Sequence, residues 1–221
     1  MSLLFSYNPY RTLGVLSNSS PRLIQKNISK LKAFSKLGKS VEFEFDFPFL
    51  NLAPIDRSAT TISKVESRIL LDINKVKQSL FWFHDASSVD SIAFANLVKG
   101  DSDKALNIWL KLMKSEKVSF KNFSAFNNAS SLLMLLQLDN SKTDKFTNDD
   151  TSIIKLKQAI DYKVNLIKSS FFEAYCQSLG VNSNINPDDI LLYLAEKIIE
   201  IIQQNFTSKQ ISDFTNGLNP I

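Results

Sequence analysis

The chain has little of what metal, redox and disulfide chemistry require. Its 221 residues hold one cysteine, Cys176, and one histidine, His84. A single cysteine closes no disulfide within the chain, and one cysteine with one histidine falls short of a zinc ligand set. No metal and no other cofactor is expected. Glycine and proline are scarce, at 5 and 6 residues. β-Hairpin turns draw on glycine at positive φ, so a loop-rich all-β fold is disfavoured. No apolar run reaches the ~18 residues of a membrane-spanning helix. The start, Met1-Ser2-Leu3-Leu4-Phe5-Ser6-Tyr7, has neither the basic region nor the full apolar stretch of a secretion signal. A soluble, cytoplasmic protein without membrane contact is the expectation. A glycine-rich phosphate loop, a Gly-x-Ser-x-Gly elbow and a His-Glu-x-x-His pair are all missing. The expectation is a protein that is not an enzyme, with no catalytic residue.

What is present is apolar and aromatic. Hydrophobic residues make up 44% and include 17 Phe, enough to bury a core rather than leave a disordered chain. Lys and Arg number 26 against 22 Asp and Glu, a net charge of +4. The lysines are scattered over several segments, which weighs against nucleic acid as the partner.

The chain reads as helical along most of its length. A short first helix stops near Gly14, with Leu13 and Val15 pointing inward. Ser20 followed by Pro21 opens a second helix, since proline costs nothing at the first helical position. Leu23, Ile24, Ile28, Leu31 and Phe34 form its apolar stripe, and Gly38 ends it. From Val41 to Phe49 the pattern switches to period two, with Phe43, Phe45, Phe47 and Phe49 on one face. That predicts an extended arm, with Pro48 marking an edge. Helical spacing returns from Ser58 to Phe83 through Ile62, Val65, Ile69, Ile73, Val76 and Leu80. A short helix over residues 89–99 closes at Gly100, and Asp101 caps the next. Leu132 to Leu136 belong to a buried helix. Residues 139–150 are polar and predict a linker or an exposed loop. A long helix is expected from Thr151 to Leu179 and a last one from Pro187 to Asn205. The tail carries no helix-completing pattern, so the chain is read as a possible piece of a longer protein.

Tyr10, Leu13, Gly14 and Val15 form an aromatic followed by Leu-Gly-Val, and a basic helix from Pro21 to Lys36 follows. This arrangement resembles the opening of a J domain, the module that stimulates Hsp70 ATPases, over roughly residues 7–83. The resemblance implies a second helix that contacts its partner through charge. The family works through a His-Pro-Asp tripeptide, which this chain lacks; Asp46-Phe47-Pro48 stands where it is expected. The implied unit is therefore J-like without Hsp70 stimulation. Leu80-Phe81-Trp82-Phe83, then Gly100-Asp101, Ala105 and Ile108-Trp109, resembles bacterial J-domain-like proteins of unassigned function, in which helical-repeat-like hairpins follow. The Ala105 and Trp109 pair resembles half of a tetratricopeptide-type hairpin, without a second copy at a fixed spacing.

The expected fold is all-α, with a J-like unit over residues 1–83 packed on helical hairpins over residues 84–221. Lys26, Lys30, Lys36 and Lys39 are the candidate partner-binding residues, a basic face for an acidic protein; the bland reading is a solvated helix surface. The four Phe of the arm either cover the core or bind a partner, and core cover is favoured because burying each is worth roughly 2 kcal/mol. Cys176 reads as a buried thiol. His84-Asp85 could form an acid–base pair, though adjacent residues rarely face each other. Asp149-Asp150 and Asp188-Asp189 read as helix-start charges. The function expected is non-enzymatic protein interaction, as adaptor or scaffold. The alternatives are a nucleic-acid-associated protein using the basic helix, and an enzyme whose site a partner chain completes.

Overall fold

The structure, a computed structural model, describes residues 3–50, 52–114, 117–140 and 150–205. These residues are all-α: α-helices and short 3-10 turns, with no strand among them. Two short helices, α1 (Leu3–Ser6) and α2 (Pro9–Thr12), begin the chain. Asn8 caps α2 by accepting from the Tyr10 amide at 3.0 Å, and its own amide group donates to the Gln78 and Phe81 carbonyls. Helix α3 (Pro21–Lys36) starts as its sequence predicts, with the Ser20 hydroxyl accepting from the Leu23 amide at 3.3 Å. Gly38 ends it at φ 64°, where the Lys39 amide reaches back to the Phe34 carbonyl.

The span expected as one helix from Ser58 to Phe83 is two, α4 (Ala59–Arg68) and α5 (Asp72–Ser79). Its apolar face is buried across the break, through Ile62, Val65, Ile69, Val76 and Leu80. The break has a partner in space: the Asp72 carboxylate opens α5 and also receives the Asn182 and Ser183 amides at 3.1 and 3.2 Å. Helices α6 (Ser88–Leu97) and α7 (Ser102–Leu112) pair as a hairpin around Ala93, Phe94, Leu97, Ala105 and Trp109. Asp101 caps α7, its side chain accepting from the Lys104 amide at 3.0 Å. Helix α8 (Phe123–Asn140) then packs along α9 (Asp150–Lys168). The polar stretch expected as a linker lies, over residues 141–149, outside the described residues, as does the tail.

The long helix expected to reach Leu179 stops at Lys168, and α10 (Phe172–Ser178) is separate. Ser169 makes the interruption: its hydroxyl donates to the Leu166 carbonyl and accepts from the Phe171 amide, bonds that compete with the helical ladder. Helix α11 (Pro187–Asn205) closes the described chain, with Asp188 and Asp189 in its first turn as expected. Buried apolar residues from both sides of Phe83 belong to one continuous core.

The Phe-rich segment is not the extended arm that its period-two pattern predicts. Glu44–Asp46 and Pro48–Leu50 are 3-10 turns, joined by Phe47 in the left-handed region at φ 46°. Among the described residues no strand offers ladder bonds, and the backbone closes on itself, with the Asp46 amide on the Phe43 carbonyl and the Leu50 amide on the Phe47 carbonyl. Phe47 alone is fully buried, with its ring 5.3 Å from Phe83 and 6.0 Å from Trp82. Phe43, Phe45 and Phe49 are half-buried against the same core. Gly14 is required by this packing. It sits at φ 65°, and a Cβ there would fall inside the Phe43 ring.

Candidate functional site

Helix α3 carries Arg22, Lys26, Lys30, Lys32 and Lys36 and no acidic residue. Lys32 turns toward α4 and pairs with Glu66 at 2.8 Å. Lys26, Lys30, Lys36 and Lys39 are exposed, and among the described residues none of them is in an ion pair. Lys26 and Lys30 share one face, since residues four apart are neighbours on a helix. Lys36 lies further along the same exposed side, roughly 15 Å from Lys26 along the axis. Lys39 lies beyond the Gly38 stop. Lys30 also spans the Phe43 ring, its Nζ 5.0 Å from the centroid, which ties the helix surface to the Phe-rich segment.

Arg57 holds that segment in place. Its Nε donates to the Thr12 carbonyl at 2.8 Å, and its two terminal nitrogens grip both Asp46 oxygens at 2.5 and 2.8 Å. The remaining N–H groups reach the Val41 and Arg11 carbonyls, so all five guanidinium donors are used. Asp46 completes the turn by accepting from the Phe43 amide at 3.0 Å. Arg11 lies beneath, with its Nη1 on the Ser6 and Ala53 carbonyls and its Nε unpartnered. Burial, partly offset by Asp46, lowers Arg11 to about 10.

A second constellation surrounds His84, which is fully buried. Its Nδ1 meets the Ser17 hydroxyl at 3.1 Å and its Nε2 the Ser178 hydroxyl at 2.9 Å. The Ser178 hydroxyl also lies 2.6 Å from the Tyr175 carbonyl. Burial lowers His84 to about 3, so the ring is neutral at ordinary pH. Tyr175 lies along the ring, 5.1 Å between centroids. Asn128 clamps the His84 backbone on both sides, accepting from its amide at 2.8 Å and donating to its carbonyl at 2.7 Å. His84 and Asp85 do not act as a pair: the Asp85 carboxylate turns to the Ser91 hydroxyl instead.

Ser17 and Ser178 both line one groove of about 460 Å³, walled by Ile24 and Ile28 of α3, Ile69 and Leu70 at the α4–α5 break, and Leu179. Cys176 lies on a different cavity and is buried, its thiol pushed up to about 12 by burial and by Glu173. That suits the structural reading of this residue.

Several polar residues in the interior escaped the reading of the sequence. Asn127, Asn128, Ser130 and Ser131 of α8 are fully buried, as are Asp90 and Lys163. The Asp90 carboxylate accepts from Trp109 Nε1 at 2.9 Å, Ser124 at 2.7 Å and Asn128 at 3.1 Å. Lys163 donates to the Asn127 side chain at 3.0 Å and to Ser131 at 3.1 Å, and burial lowers its amine well below the usual lysine range. A signal was available: the helix has no separate polar face, and Asn127-Asn128-Ala129-Ser130-Ser131 runs directly into the apolar stretch Leu132 to Leu136. Ser17 and Ser178 carry no such local signal. Among the described residues no cluster suits a metal, and no helix is long and apolar enough to cross a membrane. Comparison with protein-family models, curated proteins and solved structures finds no significant match.

Proposed function

We propose that the chain is a non-enzymatic protein-interaction module, an adaptor or scaffold that docks an acidic partner on the outer face of α3. The observation that carries the reading is the composition of that helix. Four exposed lysines at and beyond α3 have no acidic residue on their own element and no ion pair among the described residues. An unneutralised basic face attracts an acidic partner and speeds its encounter. The J-like architecture proposed for the N-terminal part, followed by hairpins of tetratricopeptide type, fits this use. The segment that would present the tripeptide is instead drawn inward: Phe47 is buried and Asp46 is held by Arg57. A unit built this way docks a partner without stimulating an Hsp70 ATPase.

The test pairs affinity capture with charge reversal at Lys26→Glu and Lys36→Glu. An acidic protein should be retained by the original chain and lost by the variant, with unchanged melting. Equal capture by both would overturn the reading. Retention of nucleic acid that falls steeply with salt would favour the alternative use of the same face. Steady-state ATP turnover with purified Hsp70 should stay at its basal rate when the chain is added.

A further inference from the structure

The connection between α7 and α8 is a pinned turn that nevertheless points a phenylalanine at solvent. Asn122, itself buried, holds it: its Oδ1 accepts from the Ser119 amide at 2.7 Å and hydroxyl at 2.9 Å, and its Nδ2 donates to the Lys117 carbonyl at 3.1 Å. The Ser119 carbonyl in turn accepts from the Asn122 and Phe123 amides. Phe120 lies within this turn and is 72% exposed, more than any other large apolar side chain among the described residues. Its ring meets the buried Phe123 ring edge to face, 6.0 Å between centroids, which braces it from beneath.

Lysines flank the ring. Lys111, Lys114, Lys117 and Lys121 are exposed, and none is in an ion pair among the described residues. Lys114, just past α7, lines one cavity with Tyr162 and Asn165 of α9. Helices α8 and α9 run antiparallel, with Ser130 on the Ala159 carbonyl and Asn127 receiving Lys163. The same register brings the exposed Lys168, at the end of α9, level with Lys121. Five lysines thus gather at one end of the helices. The acidic residues nearest them in the chain are Glu116, within the loop, and Glu173, which bonds to Gln177.

An exposed ring among lysines suits a partner that is anionic and apolar at once. A bilayer with anionic headgroups supplies both, charge for the ammoniums and an acyl boundary for the ring. Lysine stems can lie along that boundary while their ammoniums stay at headgroup level. A nucleic-acid strand fits less well, because it stacks on successive rings along a groove and here a single ring stands on a turn. The stretch from Lys111 to Lys121 also has no arginine, whose fork matches phosphate. A purely acidic peptide would satisfy the lysines and leave the ring in water. We infer that the α7–α8 loop docks on an anionic lipid surface, with Phe120 inserted at the boundary between headgroups and acyl chains and the lysines around it on the headgroups. The expectation of no membrane contact rests on the lack of a spanning run and of a secretion signal, and a surface contact of this kind needs neither. The loop belongs to other elements than α3, so the inference stands apart from the basic-face reading.

The test is cosedimentation of the full chain with phosphatidylcholine vesicles, with and without about 30% phosphatidylserine. The chain should bind the anionic vesicles only, and less as salt rises. Phe120→Ala should weaken binding about tenfold, and Lys117→Glu with Lys121→Glu about a hundredfold. All three positions are exposed, so melting should not change. Phe120→Trp should retain binding and supply a direct readout. Trp82 and Trp109 are buried, so a blue shift of emission on adding vesicles reports the introduced ring leaving water. Lys26→Glu with Lys36→Glu should bind the vesicles as the original does. The inference is overturned if anionic vesicles are not bound, if Phe120→Ala binds them unchanged, if the emission of Phe120→Trp does not shift, or if the α3 variant loses binding and the loop variant keeps it. Tighter binding of a single-stranded oligonucleotide than of the vesicles would assign the loop to nucleic acid and overturn it as well.

Discussion

The Phe-rich segment and the turn from Ser79 to His84 are both irregular chain that must find hydrogen-bond partners on the elements around them. They find them by different chemistry. At the first, the guanidinium of Arg57 distributes five donors over three carbonyls and one carboxylate, with its side chain about a tenth exposed. At the second, neutral amides from α8 do the work: Asn127 donates to Ser79 and Trp82, and Asn128 brackets His84. The difference follows from distance to water. A charge costs less to keep where solvent still reaches it, whereas a group at the centre is cheaper if neutral and fully bonded. Asp90 is the exception at the centre, and it is surrounded by donors rather than by a cation.

The sharpest way to break this comparison is Asn128→Leu. It strands the His84 amide and carbonyl and removes a donor from Asp90, and should cost about 3–5 kcal/mol by urea unfolding. A loss under ~1 kcal/mol would mean that the central bonds are dispensable.

Acid should expose the same centre. His84 falls from 6.5 to about 3 on folding, so the unfolded chain binds the proton first as pH drops. Its contribution is fully present above pH 6.5 and is lost progressively down to about pH 3. Stability should fall by about 2 kcal/mol between pH 7 and pH 5, and His84→Gln should flatten that limb. An unchanged slope in the variant would assign the acid limb elsewhere.

At the outer joint, Arg57→Lys keeps the charge and loses the fork. The ammonium still faces the Asp46 carboxylate, so the expected cost is smaller, about 2 kcal/mol by thermal or urea unfolding. A cost equal to that of Asn128→Leu would erase the contrast between the two regions.

The smallest effect is expected on α3, where Lys26→Glu and Lys36→Glu should change stability by no more than about ±0.5 kcal/mol. A larger loss in urea unfolding would show that this surface is part of the framework rather than a docking face.

The helix starts at Ser20, Ser58, Asp101 and Pro187 and the stops at Gly38 and Gly100 were legible, because caps and glycine turns act within one turn of helix. So were the buried faces of Ile28, Leu31, Ile62, Val65 and Val76, which periodicity alone specifies. The lysines of α3 were legible as a surface, since a charged side chain on a helix opposite its apolar stripe has little choice but solvent. The breaks at residues 69–71 and 169–171 were not, and neither was the folding of the Phe segment into 3-10 turns. Asp72, at the α4–α5 break, accepts from amides 110 and 111 residues away, and Arg57 holds the Phe segment from outside it. The contacts of His84 belong wholly to the tertiary structure. Ser17 lies 67 residues from His84, and Ser178 lies 94 residues from it. Sequence alone determined which faces are apolar and where helices begin, because those depend on neighbours in the chain. Which polar groups are buried, and what they hold, depends on partners brought together only when the core closes.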